Sequence, residues 1–198
     1  MLFRSAMTHF LRSALLNVFL VTAIGGATAS VAAQEPVTVI RNGRVLDGSG
    51  NPWMYADVVI QGDRILRVGD ASDVPADRVI DATGLYVTPG FIDVHSHAGP
   101  GLTSPELSHA EPLVAMGLTT VFVNPDGGGP VDQAAQREAL LADGLGVNVA
   151  QLVPHGSIRS EVMGPEDRHA TSAELERMRS LVIAGLEQGA WGMSSGTF

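Results

Sequence analysis

From Pro89 onward the sequence alternates short apolar runs with stretches of helical composition, and few folds accommodate that rhythm. Strands are expected at residues 91–94, 119–123, 146–153 and 190–194. Helices are expected at 105–116, 133–142 and 171–188 between them. In the first helix Leu107, Leu113, Val114 and Met116 form the expected apolar side. The last helix has the clearest signals. Thr171 and Glu174 have the spacing of a capping box, Leu175, Met178, Val182 and Leu186 recur along one face, and Gly189 fits the C-terminal cap. Strand–helix–strand repeats imply βαβ units and a parallel sheet, an α/β architecture.

In the barrel form of such a sheet, the working residues sit at the C-terminal ends of the strands. Here every expected strand end is polar: His95 and His97, Asn124 and Asp126, His155 and Arg159, Ser194 and Ser195. The first of these ends closes the run Pro89-Gly-Phe-Ile-Asp-Val-His-Ser-His97. Side chains alternate along an extended chain, so His95 and His97 face the same way, with Asp93. Two imidazoles side by side at a strand end can hold one divalent metal ion.

The preceding residues, 34–87, have a different texture. Residues 37–40 read as a strand, 41–44 as a tight turn and 45–46 as its partner. Residues 56–60 and 64–68 form a hairpin through Gln61-Gly62-Asp63. Short strands at 79–80 and 85–87 follow, and the region is expected to be part of a small β-sandwich packed beside something larger. Earlier still, Arg4 and Arg12 precede the apolar stretch 14–24, and Val31-Ala32-Ala33 fits a cleavage site before Gln34. Residues 1–33 are therefore expected to be a signal peptide directing export, most simply to a bacterial periplasm, with no stable membrane span after cleavage.

Composition removes several chemistries. The net charge of −9 argues against nucleic acid and anionic membrane surfaces as partners. There is no cysteine, so neither a disulfide nor a thiolate metal site can form. All 12 basic residues are arginines, which excludes Schiff-base chemistry and a carboxylated-lysine metal bridge within these residues. The loop Asn124-Pro-Asp-Gly-Gly-Gly-Pro130 lacks the Lys-Ser/Thr pair of a phosphate-binding loop.

In order along the chain, Ile40-Arg-Asn-Gly-Arg-Val-Leu-Asp47, Asp57-Val-Val-Ile-Gln-Gly-Asp-Arg-Ile65, Ile80-Asp-Ala-Thr-Gly84 and Thr88-Pro-Gly-Phe-Ile-Asp-Val-His-Ser-His97 resemble the N-terminal signature of the amidohydrolase superfamily. Within it, Leu152-Val-Pro-His-Gly-Ser-Ile-Arg159 with Val162-Met-Gly164, and Gly189-Ala-Trp-Gly-Met-Ser-Ser-Gly196, are similar to the N-acyl-D-amino-acid deacylases. The resemblance implies a metal-dependent-hydrolase (β/α)8 TIM barrel beside the small β-sandwich, and one or two Zn2+ ions activating water to cleave a small-molecule amide, an N-acylated amino acid. Dihydroorotase-like or D-dipeptidase chemistry on the same scaffold, or a non-catalytic exported fragment, are the alternatives. A complete barrel takes about 250 residues. Residues 88–198 supply about four βα units, so the chain is expected to be the N-terminal half of the enzyme and inactive alone, the later metal histidines and the aspartate base lying further on.

By position, the resemblance makes His95 and His97 metal ligands. It sets Asp126 where D-aminoacylases carry a bridging cysteine, which makes Asp126 a candidate ligand and catalytic-site residue. A carboxylate oxygen binds zinc at about 2.0–2.2 Å against about 2.3 Å for a thiolate, and tolerates other divalent ions better. The alternative for Asp126 is a turn-stabilising residue. Asp93 either orients a histidine or makes a structural hydrogen bond. His155 and Arg159 are candidate substrate contacts, with Arg159 able to pair with a carboxylate; its alternative is an ion pair with Glu161 or Asp167. His109 and His169 are expected to face solvent, and His9 lies in the leader.

Overall fold

The computed structural model describes residues 35–196. The expected signal peptide lies outside the described residues. Among those described, no helix is long and apolar enough to cross a membrane.

Two sheets follow one another along the chain. The first contains β1 (Val37–Val45), β2 (Met54–Gln61), β3 (Arg64–Gly69), β4 (Arg78–Asp81) and β5 (Tyr86–Val87), in the order β3-β2-β1-β4 with β5 also on β1. The hairpin at Gln61-Gly62-Asp63 is present, with Gly62 in the left-handed region (φ 56°) that the tight turn requires. β4 and β5 both run parallel to β1. Val39, Val59 and Ala71 are the buried centre of this unit. Within the described residues it is one sheet rather than two facing layers.

One expectation fails here. Residues 41–44 are not a turn: β1 runs through them, and its antiparallel partner is β2 rather than residues 45–46. Asn42 takes φ 62° and the register shifts between Ile40 and Gly43, so the Asn-Gly pair makes a bulge. The bulge is held from outside the strand. The Asn42 N–H donates to Asp57 Oδ1 at 2.9 Å, and a Cβ on Gly43 would stand 2.6 Å from Val87 Cγ2.

The second sheet is parallel and carries β6 (Phe91–Asp93), β7 (Leu118–Val123), β8 (Asn148–Pro154) and β9 (Gly192–Ser194) in sequence order. These are the four strands expected, and the chain therefore has a parallel half-barrel after a strand-rich sheet. The intervening helices are α1 (Gly99–Leu102), α2 (Glu111–Ala115), α3 (Gln133–Leu141), α4 (His155–Met163) and α5 (Ser172–Glu187). Val121, Val123, Leu102, Ala110, Leu140 and Val147 form the core between the sheet and its covering segments.

The helix expected over 105–116 is broken. The Ser108 carbonyl can accept no bond from a continuing helix, because the residue four positions on is Pro112, which has no N–H. That carbonyl accepts the N–H of Gly146 at 3.1 Å instead, and Ala110 turns left-handed at φ 52°. Only α2 is helical beyond that point, with Pro112 in its first turn where proline is favoured. Leu107, Val114 and Met116 are exposed, and Leu113 alone of the expected apolar side packs on the core. Conversely, α4 was not expected. It starts directly from the end of β8 with no capping side chain and contains Gly156, so no start signal marks it.

α5 matches its expectation closely. The capping box between Thr171 and Glu174 is complete. Arg168 adds two bonds to the same carboxylate at 2.7 and 2.8 Å, and these hydrogen bonds hold the Glu174 carboxyl well below its ordinary range. A depressed acid stabilises the fold above the ordinary carboxylate range, and that contribution is lost as pH falls from that range down through the lowered folded-state value. The packing of α5 is less simple than its apolar stripe suggests. Leu175 and Leu186 are exposed, Met178 and Val182 half-buried, and the residue driven fully against the sheet is Gly185. A Cβ there would meet Val153 Cγ2 at 2.7 Å.

Gly185→Ala is therefore expected to destabilise the protein, although alanine is the better helix former by about 1 kcal/mol. Overpacking against Val153 costs about 1–3 kcal/mol. A thermal melt checks the sign, and a raised midpoint would contradict this close approach.

Candidate metal centre

The histidine pair stands just past the end of β6. The Asp93 carboxylate accepts the His95 N–H at 3.0 Å, so of its two readings the structural hydrogen bond is the one realised. Ser96, between the histidines, is buried and donates its N–H to the Phe122 carbonyl of β7 at 2.9 Å. That bond fixes the backbone and leaves His95 and His97 on one side of it, with ring centroids 5.4 Å apart.

Asp126 arrives from the end of β7, on the short 3-10 turn Pro125–Gly127. Its backbone is left-handed (φ 56°, ψ 22°), as is that of Asn124 (φ 63°). Asparagine and aspartate are the side-chain-bearing residues that tolerate this region best. Asp126 Oδ2 lies 3.1 Å from His95 Nε2 and 3.3 Å from His97 Nε2. The three donor atoms all fall within 4.8 Å of one another, the one such group of three among the described residues. An ion bound at about 2.0–2.2 Å would hold its donors roughly 2.8–3.5 Å apart. The two carboxylate–imidazole separations fit that requirement.

The turn is fastened by buried amides. The Asn124 side chain donates to Gln136 Oε1 and to the Leu152 carbonyl, both at 2.9 Å, and accepts from Gln136 Nε2 at 2.8 Å. Gln151 of β8 donates to the same Gln136 Oε1 at 2.8 Å and to the Gln133 carbonyl at 2.9 Å. From β9, the Ser194 hydroxyl donates to the Asn124 carbonyl at 2.5 Å and accepts the Gly127 N–H at 3.0 Å. Gly129 allows the loop to close over Asn124, whose Oδ1 would be 2.5 Å from a Cβ there. Asn124 and Ser194 stand out in the sequence only as polar strand ends. Gln151 shows in the sequence only as an amide inside a largely apolar run, and Gln133 and Gln136 carry no signal in their mixed helical stretch.

The centre is open. Side-chain exposures of 59% and 73% for the histidines and 37% for Asp126 leave them accessible to a small molecule. A cleft of about 820 Å3 runs from His97 and Asp126 past Pro100 and Gly129 to Gln136 and Ala139. His155 is the first residue of α4, half-buried at the end of β8, and is not among the three converging donors. Arg159 lies one turn further on. Its Nη2 donates to the carbonyls of Glu166 and Arg168 at 2.9 and 3.1 Å, bracing the loop before α5 rather than pairing with Glu161 or Asp167. Neither residue lines the cleft beside Asp126. His109 and His169 are exposed, as expected.

Comparison with known proteins aligns with this geometry. Residues 78–198 match the model of an amidohydrolase family. The N-acyl-D-aspartate deacylase of Alcaligenes xylosoxydans xylosoxydans is 36% identical over 184 residues, covering 81% of this chain and 36% of the relative. A solved structure of D-aminoacylase, described with a binuclear metal centre, superposes with a TM-score of 0.72 at 34% identity, covering 80% of this chain and 38% of that one. The N-acyl-D-glutamate deacylase from Bordetella bronchiseptica, solved with zinc and a phosphonate mimic of the tetrahedral intermediate, gives a TM-score of 0.71 at 32% identity, over 82% of this chain and 39% of that one. The chain thus spans a little over a third of the length of the relatives it matches.

The amide cluster yields a prediction about stability. Asn124→Leu is expected to destabilise by about 2–4 kcal/mol, because it leaves Gln136 and the Leu152 carbonyl buried without partners at about 1–3 kcal/mol for each unmet group. Denaturant unfolding measures this, and a change below 1 kcal/mol would mean that the cluster does not hold the loop.

Proposed function

The chain belongs to the amidohydrolase family, and from that premise we propose that it carries metal-ligating residues of a zinc-dependent hydrolase that deacylates N-acyl-D-amino acids. The observation that carries this reading is the convergence of His95 Nε2, His97 Nε2 and Asp126 Oδ2 at the C-terminal ends of two adjacent parallel strands. The likeness to two deacylases of N-acyl-D-amino acids, each over about four-fifths of this chain, supports the substrate class.

In this reading the two imidazoles and the carboxylate hold the ion, and a bound zinc supplies a nucleophilic water at neutral pH and polarises the amide carbonyl. The chain's own work is positional. Ser96 holds the histidines against β7, Asp93 shapes the turn into them, and the Asn124 cluster aims Asp126 at both rings. Asp126 contributes oxygen where a thiolate would be softer, so manganese or cobalt should substitute for zinc with modest loss. His155, on the rim at the end of β8, is the proposed substrate contact; Arg159 acts at one remove, through the loop it braces. We further propose export, on the strength of the N-terminal residues alone.

The full-length gene product, reloaded with zinc, is expected to release free amino acid from N-acetyl-D-amino acids and to leave the L-enantiomers intact. His95→Ala and Asp126→Ala should each lower the bound zinc and reduce turnover at least 100-fold, as loss of a metal ligand removes the activated water. Zinc content by elemental analysis and amine release by a colorimetric assay read the two effects. Hydrolysis confined to L-substrates, or full zinc content in both variants, would overturn the proposal.

A further inference from the structure

Asp126 holds a left-handed backbone, which costs free energy even for an aspartate and is held here by its surroundings. The enforcing contact comes from far away in the sequence. Ser194, the last residue of β9, is buried, and its hydroxyl lies across the turn that presents Asp126. The single hydroxyl proton goes to the Asn124 carbonyl, two residues before Asp126, and a lone pair receives the N–H of Gly127, one residue after it. The two bonds, at 2.5 and 3.0 Å, join residues 70 and 67 positions apart. The hydroxyl's donor and one acceptor site are thus committed to the two flanks of one carboxylate-bearing residue.

β9 is itself fixed, since Ser194 stands in register with Pro154 of β8. The turn is also confined from other sides. A Cβ on Gly127 would lie 3.0 Å from the Gly156 N and 3.2 Å from the Gly196 N, so the backbone of α4's first turn and of the segment after β9 closes around it. Asp126 accepts no other bond from this clamp; its Oδ2 remains turned to His95 and His97.

We propose that Ser194 is a positioning residue for the metal centre: its hydroxyl locks the turn in the conformation that brings Asp126 to the two histidines, and so sets metal affinity through Asp126. This rests on the reading of Asp126 as a ligand. A purely structural serine would satisfy two buried backbone groups and alter stability without altering the bond between Asp126 and the ion. The two roles separate in a thermodynamic cycle.

Zinc affinity of the full-length product would be measured by competition with a chromophoric chelator, for the unaltered protein, Ser194→Val, Ser194→Thr, Asp126→Ala and the Ser194→Val/Asp126→Ala double variant. Threonine and valine have nearly the same shape and differ by the hydroxyl, so the comparison is made between two proteins of matched packing. Ser194→Val is expected to bind zinc about 10–100-fold more weakly than Ser194→Thr, the usual cost of removing a partner that orients a ligand. In the Asp126→Ala background the valine substitution should change affinity by less than about 2-fold, because the residue it acts through is gone. Cobalt-loaded Ser194→Val should also show a shifted visible absorption band, which a change in global stability alone does not produce. Equal affinities for Ser194→Val and Ser194→Thr, or a full further loss in the double variant, would overturn the role of Ser194. Unchanged affinity in Asp126→Ala would instead overturn Asp126 as a ligand, and the proposal with it.

Discussion

The reciprocal amide pair between Asn124 and Gln136 is the interaction on which the centre depends. Each side chain donates to and accepts from the other, and each has a further partner on β8: the Leu152 carbonyl for Asn124, and Gln151 for Gln136. Four polar groups are thereby buried and paired at the joint of β7, β8 and α3. In such a low-dielectric position satisfied hydrogen bonds are strong, and removing one partner strands the others. The geometry is correspondingly inflexible. It forces Asn124 into the left-handed region and leaves Asp126 one turn away from it, aimed out of the sheet.

The division of labour among strands follows from that joint. β6 delivers two nitrogens, and β7 one oxygen. β8 and β9 contribute little to the converging donors themselves but fix where the β7 loop can go. The apolar core under α1, α2 and α3 supplies the rigid floor, with Val121 and Val123 fully buried directly beneath the loop. A parallel sheet suits this arrangement because every strand exits on the same rim, so residues distant in sequence meet within hydrogen-bonding range of one another.

How far the sequence reveals this differs by level. The strands of the parallel sheet are legible because their apolar runs are continuous and bounded by turn residues, and α5 is legible because Thr171, Glu174 and Gly189 are local signals read by the backbone next to them. The His95–His97 pair is legible for the same reason: two residues of alternation fix their side. Failures occur where a distant residue decides. Asn42-Gly43 has the composition of a turn, and only Asp57 and Val87 convert it to a bulge. The break at Ser108 is set by Gly146, two residues before β8, with Pro112 as its local sign. α4 carries no start signal at all. The convergence of Asp126 on both histidines depends on Gln136 in the next helix and on Leu152 and Ser194 from later strands, none of them within its own turn.

The lack of cysteine in this sequence bears on the chemistry of the proposed donor set. An ion held through imidazole nitrogen and carboxylate oxygen has no thiolate to be oxidised to a sulfenic acid or captured in a mixed disulfide. The thiol oxidation and disulfide exchange that can disable a sulfur-ligated site have no sulfur to act on among His95, His97 and Asp126. On the left-handed turn that presents Asp126, a carboxylate thus keeps the proposed donor set free of thiol chemistry.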